Sequence, residues 1–212
     1  MEDTLQKALN WRYATKKFDP SKKLSDTTLN SLLESLRLAP SSSGVQPWRF
    51  LVITNPEVRK QILEVAHQQS QVVDASHLIV FTRPLNIGVV HVDRHIANTA
   101  RIRGVAVESM ERYRDSIVGS MRRKTPEDLA CWVTAQVYIA LGFLLEAAAL
   151  IEVDACPMEG FDKEKLDAAL GLSEKGLASV VICALGYRSD DDKYATIEKS
   201  RFAKEEVIEF IA

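Results

Sequence analysis

Two short runs in the first fifty residues combine residue types that can bind an anionic, planar ligand. The first is Arg12-Tyr13-Ala14-Thr15-Lys16-Lys17-Phe18, in which one guanidinium and two ammonium groups follow a short helical segment. A guanidinium binds phosphate through paired charge-assisted hydrogen bonds, and an ammonium supplies a point charge. The second is Pro40-Ser41-Ser42-Ser43-Gly44-Val45-Gln46-Pro47-Trp48, whose small residues let amide groups approach a ligand closely. Together they suggest an anionic, planar ligand such as a phosphate-bearing cofactor, although solvated basic turns and Ser-rich loops are the commoner explanation of such runs.

Two later runs point to the same chemistry. Pro157-Met158-Glu159-Gly160-Phe161 follows a predicted strand and precedes a helix capped by Asp162, where successive amides can donate to a planar acceptor. The alternative is an ordinary strand-to-helix turn. In Lys199-Ser200-Arg201 two cations stand two residues apart and project to one side of an extended chain. They could close on the same phosphate as Arg12, or they could belong to a solvated tail.

The elements that position these runs follow from hydrophobic spacing and from capping residues. Ser25 and Pro40 bound a helix with leucines on one face, and Asn55-Pro56 opens a second helix. Thr125-Pro126-Glu127-Asp128 opens a long apolar helix, which we expect to be buried in the core or a subunit interface rather than in a membrane. Apolar runs predict strands at 49–54, 78–82, 151–155 and 178–187, with a helix at 162–170.

Two segments are predicted to lie outside the core. Residues 89–120 are charged and helical in period, with Gly104 and Gly119 as weak points, and we expect a mobile helical excursion. Residues 194–212 form a C-terminal arm, whose apolar ending at 207–211 could pair with the sheet edge of a partner subunit.

Composition narrows the class of protein. A chain of 212 residues with 46% hydrophobic content predicts a single domain spanning 1–212. A net charge of −2 gives no global attraction to nucleic acid or to an anionic membrane. Cys131, Cys156 and Cys183 are odd in number and lie among apolar residues, which predicts reduced core thiols in a cytoplasmic protein. The N-terminus lacks the pattern of a signal peptide, so we expect no export.

The order of these runs resembles the FMN-dependent nitroreductase family, especially the bacterial oxygen-insensitive NAD(P)H nitroreductases and flavin reductases. The likeness covers nearly the whole chain and includes Asp74-Ala75-Ser76-His77, Gln136-Val137-Tyr138 and Glu174-Lys175-Gly176. It implies an α+β fold with a mixed, mostly antiparallel central sheet flanked by helices, in an intertwined homodimer that holds FMN at its interface. It also implies ping-pong transfer of two electrons from NAD(P)H to nitroaromatics, quinones or similar flat acceptors.

The resemblance assigns the cofactor residues one by one. It puts Arg12, Lys199 and Arg201 on the FMN phosphate, and Lys16 near the N1 and O2 edge of the flavin. Gln68 and Gln71 would bind the pyrimidine edge, and the backbone N–H groups of Glu159 and Gly160 would reach N5 and O4. The other subunit would contribute Pro40, Ser41, Ser42 and Gly44. The full predicted cofactor set is Arg12, Tyr13, Ala14, Lys16, Pro40, Ser41, Ser42, Gly44, Gln68, Gln71, Pro157, Met158, Glu159, Gly160, Lys199 and Arg201.

Two positions depart from the family pattern. Gly44 stands where many relatives have Asn, which removes a polar contact to the flavin. Val118 stands where the enteric enzymes have a Phe over the site, which implies a wider or differently shaped acceptor pocket. Neither change affects the phosphate-binding residues, so we expect FMN binding to persist.

Other titratable residues offer rival interpretations. His91 and His95 share one face of a predicted helix, as metal ligands can, but a solvated helix explains them better and we predict no metal. Cys156 lies beside the predicted flavin without a partner His or Cys, so an inert buried thiol is favoured. We predict no catalytic side-chain acid or base, since the flavin carries the hydride.

Two other functions remain compatible with these residues. One is a flavin or dihydropteridine reductase, whose physiological acceptor would be a free flavin or pterin. The other is a non-catalytic, flavin-binding redox sensor.

Overall fold

A computed structural model describes residues 2–211 of the chain. Its principal helices are α1 (Glu2–Trp11), α2 (Asp26–Leu38), α3 (Pro56–Val65), α4 (Gln71–Asp74), α5 (Val89–Arg103), α6 (Glu111–Arg122), α7 (Pro126–Leu150), α8 (Lys163–Ala169) and α9 (Lys204–Val207). Its strands are β1 (Arg49–Ile53), β2 (His77–Pro84), β3 (Asp154–Met158) and β4 (Leu177–Gly186).

Helix N-termini are capped where the sequence predicts. A side-chain oxygen accepts a hydrogen bond from a backbone N–H of the first turn in each of four helices, at Ser25, Asn55, Thr125 and Asp162. Such bonds satisfy donors that have no partner inside the helix. The predicted starts of α2, α3, α7 and α8 are therefore confirmed.

The four strands form one antiparallel sheet in the order β1-β2-β4-β3. The outer edge of β3 carries a single parallel bridge between Ala14 and Ala155, where Thr15 N donates to Ala155 O at 3.4 Å. The N-terminal segment after α1 thus runs beside an edge strand. This register brings the run that begins at Arg12 next to the strand that leads to Glu159.

Hydrophobic clusters cover both faces of the sheet. On one face α2 and α7 pack through Leu32, Leu36 and Leu144 against side chains of β2 and β4. On the other face α3 and α8 contribute Ile62 and Leu166. This arrangement of helices on both faces of a sheet confirms the predicted α+β fold.

Helix α7 is long and apolar enough to span a membrane by length and composition. In this fold it lies against α2 and the sheet, and its buried residues are Val133, Gln136, Val137, Ala140, Leu141, Leu144, Ala148 and Ala149. Its position explains its hydrophobicity as that of a core helix, in line with the prediction.

The excursion formed by residues 89–120 has a core of its own, so the prediction that it lies apart from any core is wrong. Val92 and Ile96 of α5 pack with Ile117 of α6 and Val133 of α7 in a third hydrophobic cluster. The apolar residues are sparse in the sequence, but they fall on the facing sides of two helices. Its mobility stays a prediction.

Several local predictions need correction. The third strand begins at Asp154 rather than at residue 151, because the chain leaves α7 through a left-handed turn at Glu152, with φ of 56°. Pro157 and Met158 therefore belong to the strand itself.

Cys131 is exposed on α7 rather than buried, while Cys156 and Cys183 are buried as predicted. The end of the chain contains a short helix, α9, before an extended residue, Ile208.

Candidate functional site

A cavity of about 620 Å³ opens between the segment after α1 and the C-terminal arm. It is lined by Asn10, Trp11, Arg12, Tyr13, Ala14, Lys16, Tyr194, Ala195, Ile197, Glu198, Lys199 and Arg201. Six predicted cofactor residues from opposite ends of the sequence thus meet in one place: Arg12, Tyr13, Ala14, Lys16, Lys199 and Arg201. We refer to this cavity as the cation cavity.

Positive charge in the cation cavity is not neutralised by salt bridges. Lys199 Nζ donates hydrogen bonds to the carbonyl oxygens of Leu9, at 2.5 Å, and of Arg12. Burial, followed by the charges of Arg12 and Arg201, lowers the pKa of Lys199. Within residues 2–211, neither these three cations nor Lys16 forms a salt bridge with a carboxylate. A bound anion would relieve this repulsion.

A buried carboxylate holds the backbone of the first run in place. Asp192 is 5% exposed, and its Oδ2 accepts hydrogen bonds from Tyr13 Oη at 2.8 Å, Lys16 N at 2.9 Å and Lys17 N at 3.0 Å. Burial disfavours the charged carboxylate and by itself would raise the pKa of Asp192. Hydrogen bonds to the carboxylate, of which the one from Lys17 N is the strongest, outweigh burial and keep this pKa lowered. Burial and the bond to Asp192 raise the pKa of Tyr13. The carboxylate thereby fixes the turn that carries Lys16.

A second buried carboxylate supports the same segment from the sheet. Asp154 accepts from Arg188 Nε and from Arg188 N, each at 2.8 Å, and from Thr15 Oγ1 at 3.1 Å. The Arg188 guanidinium lies 4.2 Å from the ring centroid of Trp11 and 4.6 Å from that of Tyr13. These cation–π contacts and the ion pair tie the N-terminal wall of the cation cavity to β3.

The run after β3 is anchored on both sides. Tyr138 Oη of α7 donates to the Glu159 carboxylate, and Gln69 Nε2 donates to Gly160 O at 2.7 Å. Burial and Glu159 raise the pKa of Tyr138 to about 12. The tyrosine therefore stays protonated and able to donate near neutral pH.

The two glutamines predicted at the pyrimidine edge have different surroundings. Gln71 is buried, and its side chain lies within hydrogen-bonding reach of the Cys156 thiol. Burial raises the pKa of this thiol, and the charge of Lys16 offsets only part of that rise. Gln71 thus lies close to the predicted flavin residues. Gln68 is exposed in a left-handed turn, with φ of 55°, and Gln69 is the glutamine that contacts Gly160.

The small-residue loop lies elsewhere in the chain. Pro40, Ser41, Ser42 and Gly44 do not line the cation cavity. The loop packs instead beside α5 and α7, where Ser42 N donates to Gln136 Oε1 at 2.7 Å. This separation within one chain is compatible with the predicted contribution of the loop to a second subunit.

His91 and His95 are neither solvated nor arranged with other potential ligands. His91 Nε2 lies 2.6 Å from Val45 O, and both rings border a second cavity, of about 640 Å³, beside β1. No group of three or more metal-binding side chains occurs in the part of the chain that the structure describes. Neither a metal site nor a solvated helix, the two interpretations drawn from the sequence, accounts for the contact of His91 with Val45 of the loop.

Val118 is 6% exposed and belongs to the cluster between α5, α6 and α7. It lines a small cavity of about 210 Å³ with Ile87 and Leu129, away from the cation cavity. Its effect on acceptor binding stays a prediction.

Sequence reasoning missed the residues that hold the site together. Tyr138 was only part of a family motif, and Asp192, Asp154 and Arg188 had no assigned role. A signal exists only for Asp192, whose position before a short helical turn at Lys193–Thr196 is typical of a capping aspartate.

Comparisons with known proteins identify the family of the chain. The pattern of the Nitroreductase family matches residues 9–187. The chain is 33% identical over 202 residues to the oxygen-insensitive NAD(P)H nitroreductase of Salmonella typhimurium, covering 92% of this chain and 93% of that protein.

Solved structures share the fold. A nitroreductase-like protein from Streptococcus mutans superposes with a TM-score of 0.87 at 19% identity, over 100% of both chains. A protein from Exiguobacterium sibiricum solved in complex with FMN gives a TM-score of 0.83 at 23% identity, over 98% of this chain and 97% of that one. The chain therefore belongs to the nitroreductase family.

Proposed function

We propose that this oxidoreductase works in ping-pong order and passes two electrons from NAD(P)H to nitroaromatics, quinones or similar flat acceptors. The observation that carries the proposal is the cation cavity, where Arg12, Lys199 and Arg201 lie together and, within residues 2–211, form no salt bridge with a carboxylate. A phosphate monoester carries close to two negative charges at neutral pH and matches this cluster. The cavity residues therefore fit FMN.

Each part of the site has its own task in this proposal. Arg12, Lys199 and Arg201 bind the phosphate, and Lys16 holds positive charge near one edge of the ring. The amides of Glu159 and Gly160, anchored by Tyr138 and Gln69, orient the opposite edge. When bound, FMN supplies the hydride chemistry.

The chain supplies few groups for side-chain acid–base catalysis beside this cavity. Tyr13 and Cys156 both have raised pKa values, with burial as the first cause, and they are protonated near neutral pH. Such groups orient a ligand and exclude water rather than accept protons. The proposal therefore assigns protons to water or substrate.

The working unit in this proposal is a cytoplasmic homodimer. Helix α7 exposes Ile139 and Phe143, at 40% and 44%, and the arm exposes Phe202 and Phe210, at 78% and 88%. Exposed apolar surface of this kind is typical of subunit interfaces. The outer edge of β1 has no strand partner within residues 2–211, so the arm of a second copy could pair there.

Anaerobic absorbance spectra of the purified protein test the activity. We expect flavin bands that bleach on addition of NADH or NADPH and return on addition of a nitroaromatic or a quinone. Bands that stay oxidised would contradict the proposal, and no flavin after incubation with FMN would contradict the site. Faster turnover of free flavin or dihydropteridine than of nitrofurazone would identify a reductase of those acceptors instead.

Sedimentation tests the dimer. Phe143→Asp places a charge on the exposed face of α7, and we expect it to shift the protein from dimer to monomer. Leu85→Asp is the matched control, since Leu85 is 43% exposed outside this face. A wild-type protein that sediments as a monomer would contradict the homodimer.

A further inference from the structure

The loop 41–46 has a backbone that local preferences do not explain. Ser43, Gly44 and Gln46 all have left-handed conformations, with φ of 53°, 65° and 46°. This region is unfavourable for residues with a side chain, and such residues persist where surrounding contacts fix them. Bonds inside the loop are few, and they include Gly44 N to Ser41 O at 2.9 Å and Gln46 N to Ser41 Oγ at 2.9 Å.

Contacts from the helical excursion fix two carbonyl groups of the loop. His91 of α5 contacts Val45 O through Nε2 at 2.6 Å, so this nitrogen carries the proton and donates. Tyr113 of α6 donates from Oη to Ser43 O at 2.9 Å. The two donors come from different helices and bind alternate residues of the loop, which locks its twist.

Packing adds to these hydrogen bonds. The Val45 side chain is 2% exposed and belongs to the same hydrophobic cluster as Val92 and Ile96 of α5. A Cβ atom placed on Gly44 would lie 3.3 Å from Cε1 of His95, so the ring covers this glycine closely. Ser42 and Gly44 nevertheless remain exposed.

We infer that His91 and Tyr113 are positioning residues through which the helical excursion sets the conformation of the loop 41–46 and, with it, the affinity for FMN. The inference rests on the proposed function, together with the implication of the family resemblance that this loop contacts the flavin of the second copy. The inference gives the helical excursion of residues 89–120 a role in binding the cofactor, in addition to any role in covering the electron acceptor. By linkage, an acceptor that changes the packing of α6 also changes the affinity for FMN.

Variants that remove one donor at a time test the inference. Tyr113→Phe removes the hydroxyl, and His91→Leu removes the ring N–H, whereas His91→Gln retains an amide donor. The control is Val90→Ala, because Val90 is the neighbour of His91 on α5 and is 84% exposed. The Kd for FMN is measured by quenching of flavin fluorescence, and hydrogen exchange is measured for the amides of residues 41–46.

We expect Tyr113→Phe and His91→Leu each to raise the Kd for FMN by about five-fold, as loss of one net hydrogen bond does, and to accelerate exchange in the loop. His91→Gln restores most of the affinity, and Val90→Ala leaves it unchanged. A simple loss of folding stability would not be rescued in this way.

Two outcomes overturn the inference, and they differ. If the wild-type protein binds FMN and both donor-deleted variants bind it equally well with unchanged exchange, the positioning role is wrong and the proposed function stands. If the wild-type protein binds no FMN, the proposed function fails and the inference fails with it.

Discussion

The phenolic oxygen of Tyr13 donates a hydrogen bond of 2.8 Å to Oδ2 of Asp192, across 179 residues of sequence. Oδ2 of Asp192 also accepts hydrogen bonds from Lys16 N and Lys17 N, so this one carboxylate oxygen orders most of the turn beside the cation cavity. The other oxygen, Oδ1, accepts from Tyr194 N at 3.1 Å and so anchors the start of the C-terminal arm. Both walls of the cation cavity therefore depend on Asp192.

Replacing this carboxylate by an amide removes one of its two acceptors. In Asp192→Asn the amide nitrogen must face either the three donors at Oδ2 or the donor at Oδ1. We expect a loss of about 2 kcal/mol in the free energy of unfolding, since a buried donor is left unpaired. Denaturant titration measures this loss, and FMN titration should show weaker binding. Asp190→Asn, on an exposed residue of the same acidic turn, is the control, and equal effects of the two variants would contradict the role of Asp192.

The charge in the cation cavity should discriminate FMN from riboflavin, which differ by the phosphate. We expect Arg201→Gln to raise the Kd for FMN at least about ten-fold, as loss of a charge-assisted hydrogen bond does, and to leave riboflavin affinity unchanged. Fluorescence titration with each flavin measures both constants. Lys7→Gln, on an exposed lysine of α1, controls for net charge. An equal loss for both flavins would place Arg201 away from the phosphate.

Tyr138 should control the order of the run after β3. Tyr138→Phe removes the hydrogen bond to Glu159 and keeps the ring in its hydrophobic cluster. We expect the amides of Glu159 and Gly160 to exchange about five-fold faster, in proportion to the loss of one net hydrogen bond. Tyr187→Phe removes a hydroxyl beside the same cluster and serves as the control. Unchanged exchange in Tyr138→Phe would show that Gln69 alone suffices.

Gly186 allows a close approach that any side chain would block. A Cβ atom there would lie 2.9 Å from Cδ1 of Phe18 and 3.0 Å from Ser76 N. Phe18 is 1% exposed and has no room to move, so we expect Gly186→Ala to lower the free energy of unfolding by about 2 kcal/mol. Gly88→Ala is the control, because nothing lies within 4 Å of a Cβ atom at that position. Equal midpoints of denaturation for both variants would contradict this expectation.

Local sequence signals were sufficient for much of the fold. Ser25 and Thr125 cap helices because capping depends on a few neighbouring residues. The grouping of Arg12, Lys199 and Arg201 came from the family resemblance, since their charges alone left a solvated tail as an alternative for the last two.

Predictions failed where the outcome depends on contacts between distant segments. The apolar residues after α7 suggested a strand from residue 151, but Val153 is used to close the helix end against the core. Pro157 is compatible with β3 only because this strand lies at the edge of the sheet, and nothing local reveals an edge. The hydrogen bond from His91 to the loop likewise joins segments 46 residues apart.

His95 gives the loop a predictable dependence on pH. Burial, followed by the charge of His91, lowers the pKa of His95, and Nε2 is buried without a hydrogen-bond partner. The charge of Arg103, at the end of α5, lowers this pKa further, whereas a backbone hydrogen bond with Ser43 opposes the shift. Arg37, Arg49 and Arg94 line the same cavity as His95. An imidazolium at this position would therefore meet repulsion from His91 and Arg103 of its own helix.

The direction of the pH effect follows from linkage. Because the pKa of His95 is lower in the folded protein than in the unfolded chain, the folded protein binds fewer protons, and its stability falls as the pH drops below about 6.5. We expect His95→Gln, which cannot be protonated, to lose less stability and less FMN affinity than the wild-type protein between pH 7.5 and pH 5. Protonation of the FMN phosphate affects both proteins alike, so it cancels in the comparison. His67→Gln, on an exposed histidine, should follow the wild-type profile, and identical profiles for all three proteins would exclude His95 as the titrating group.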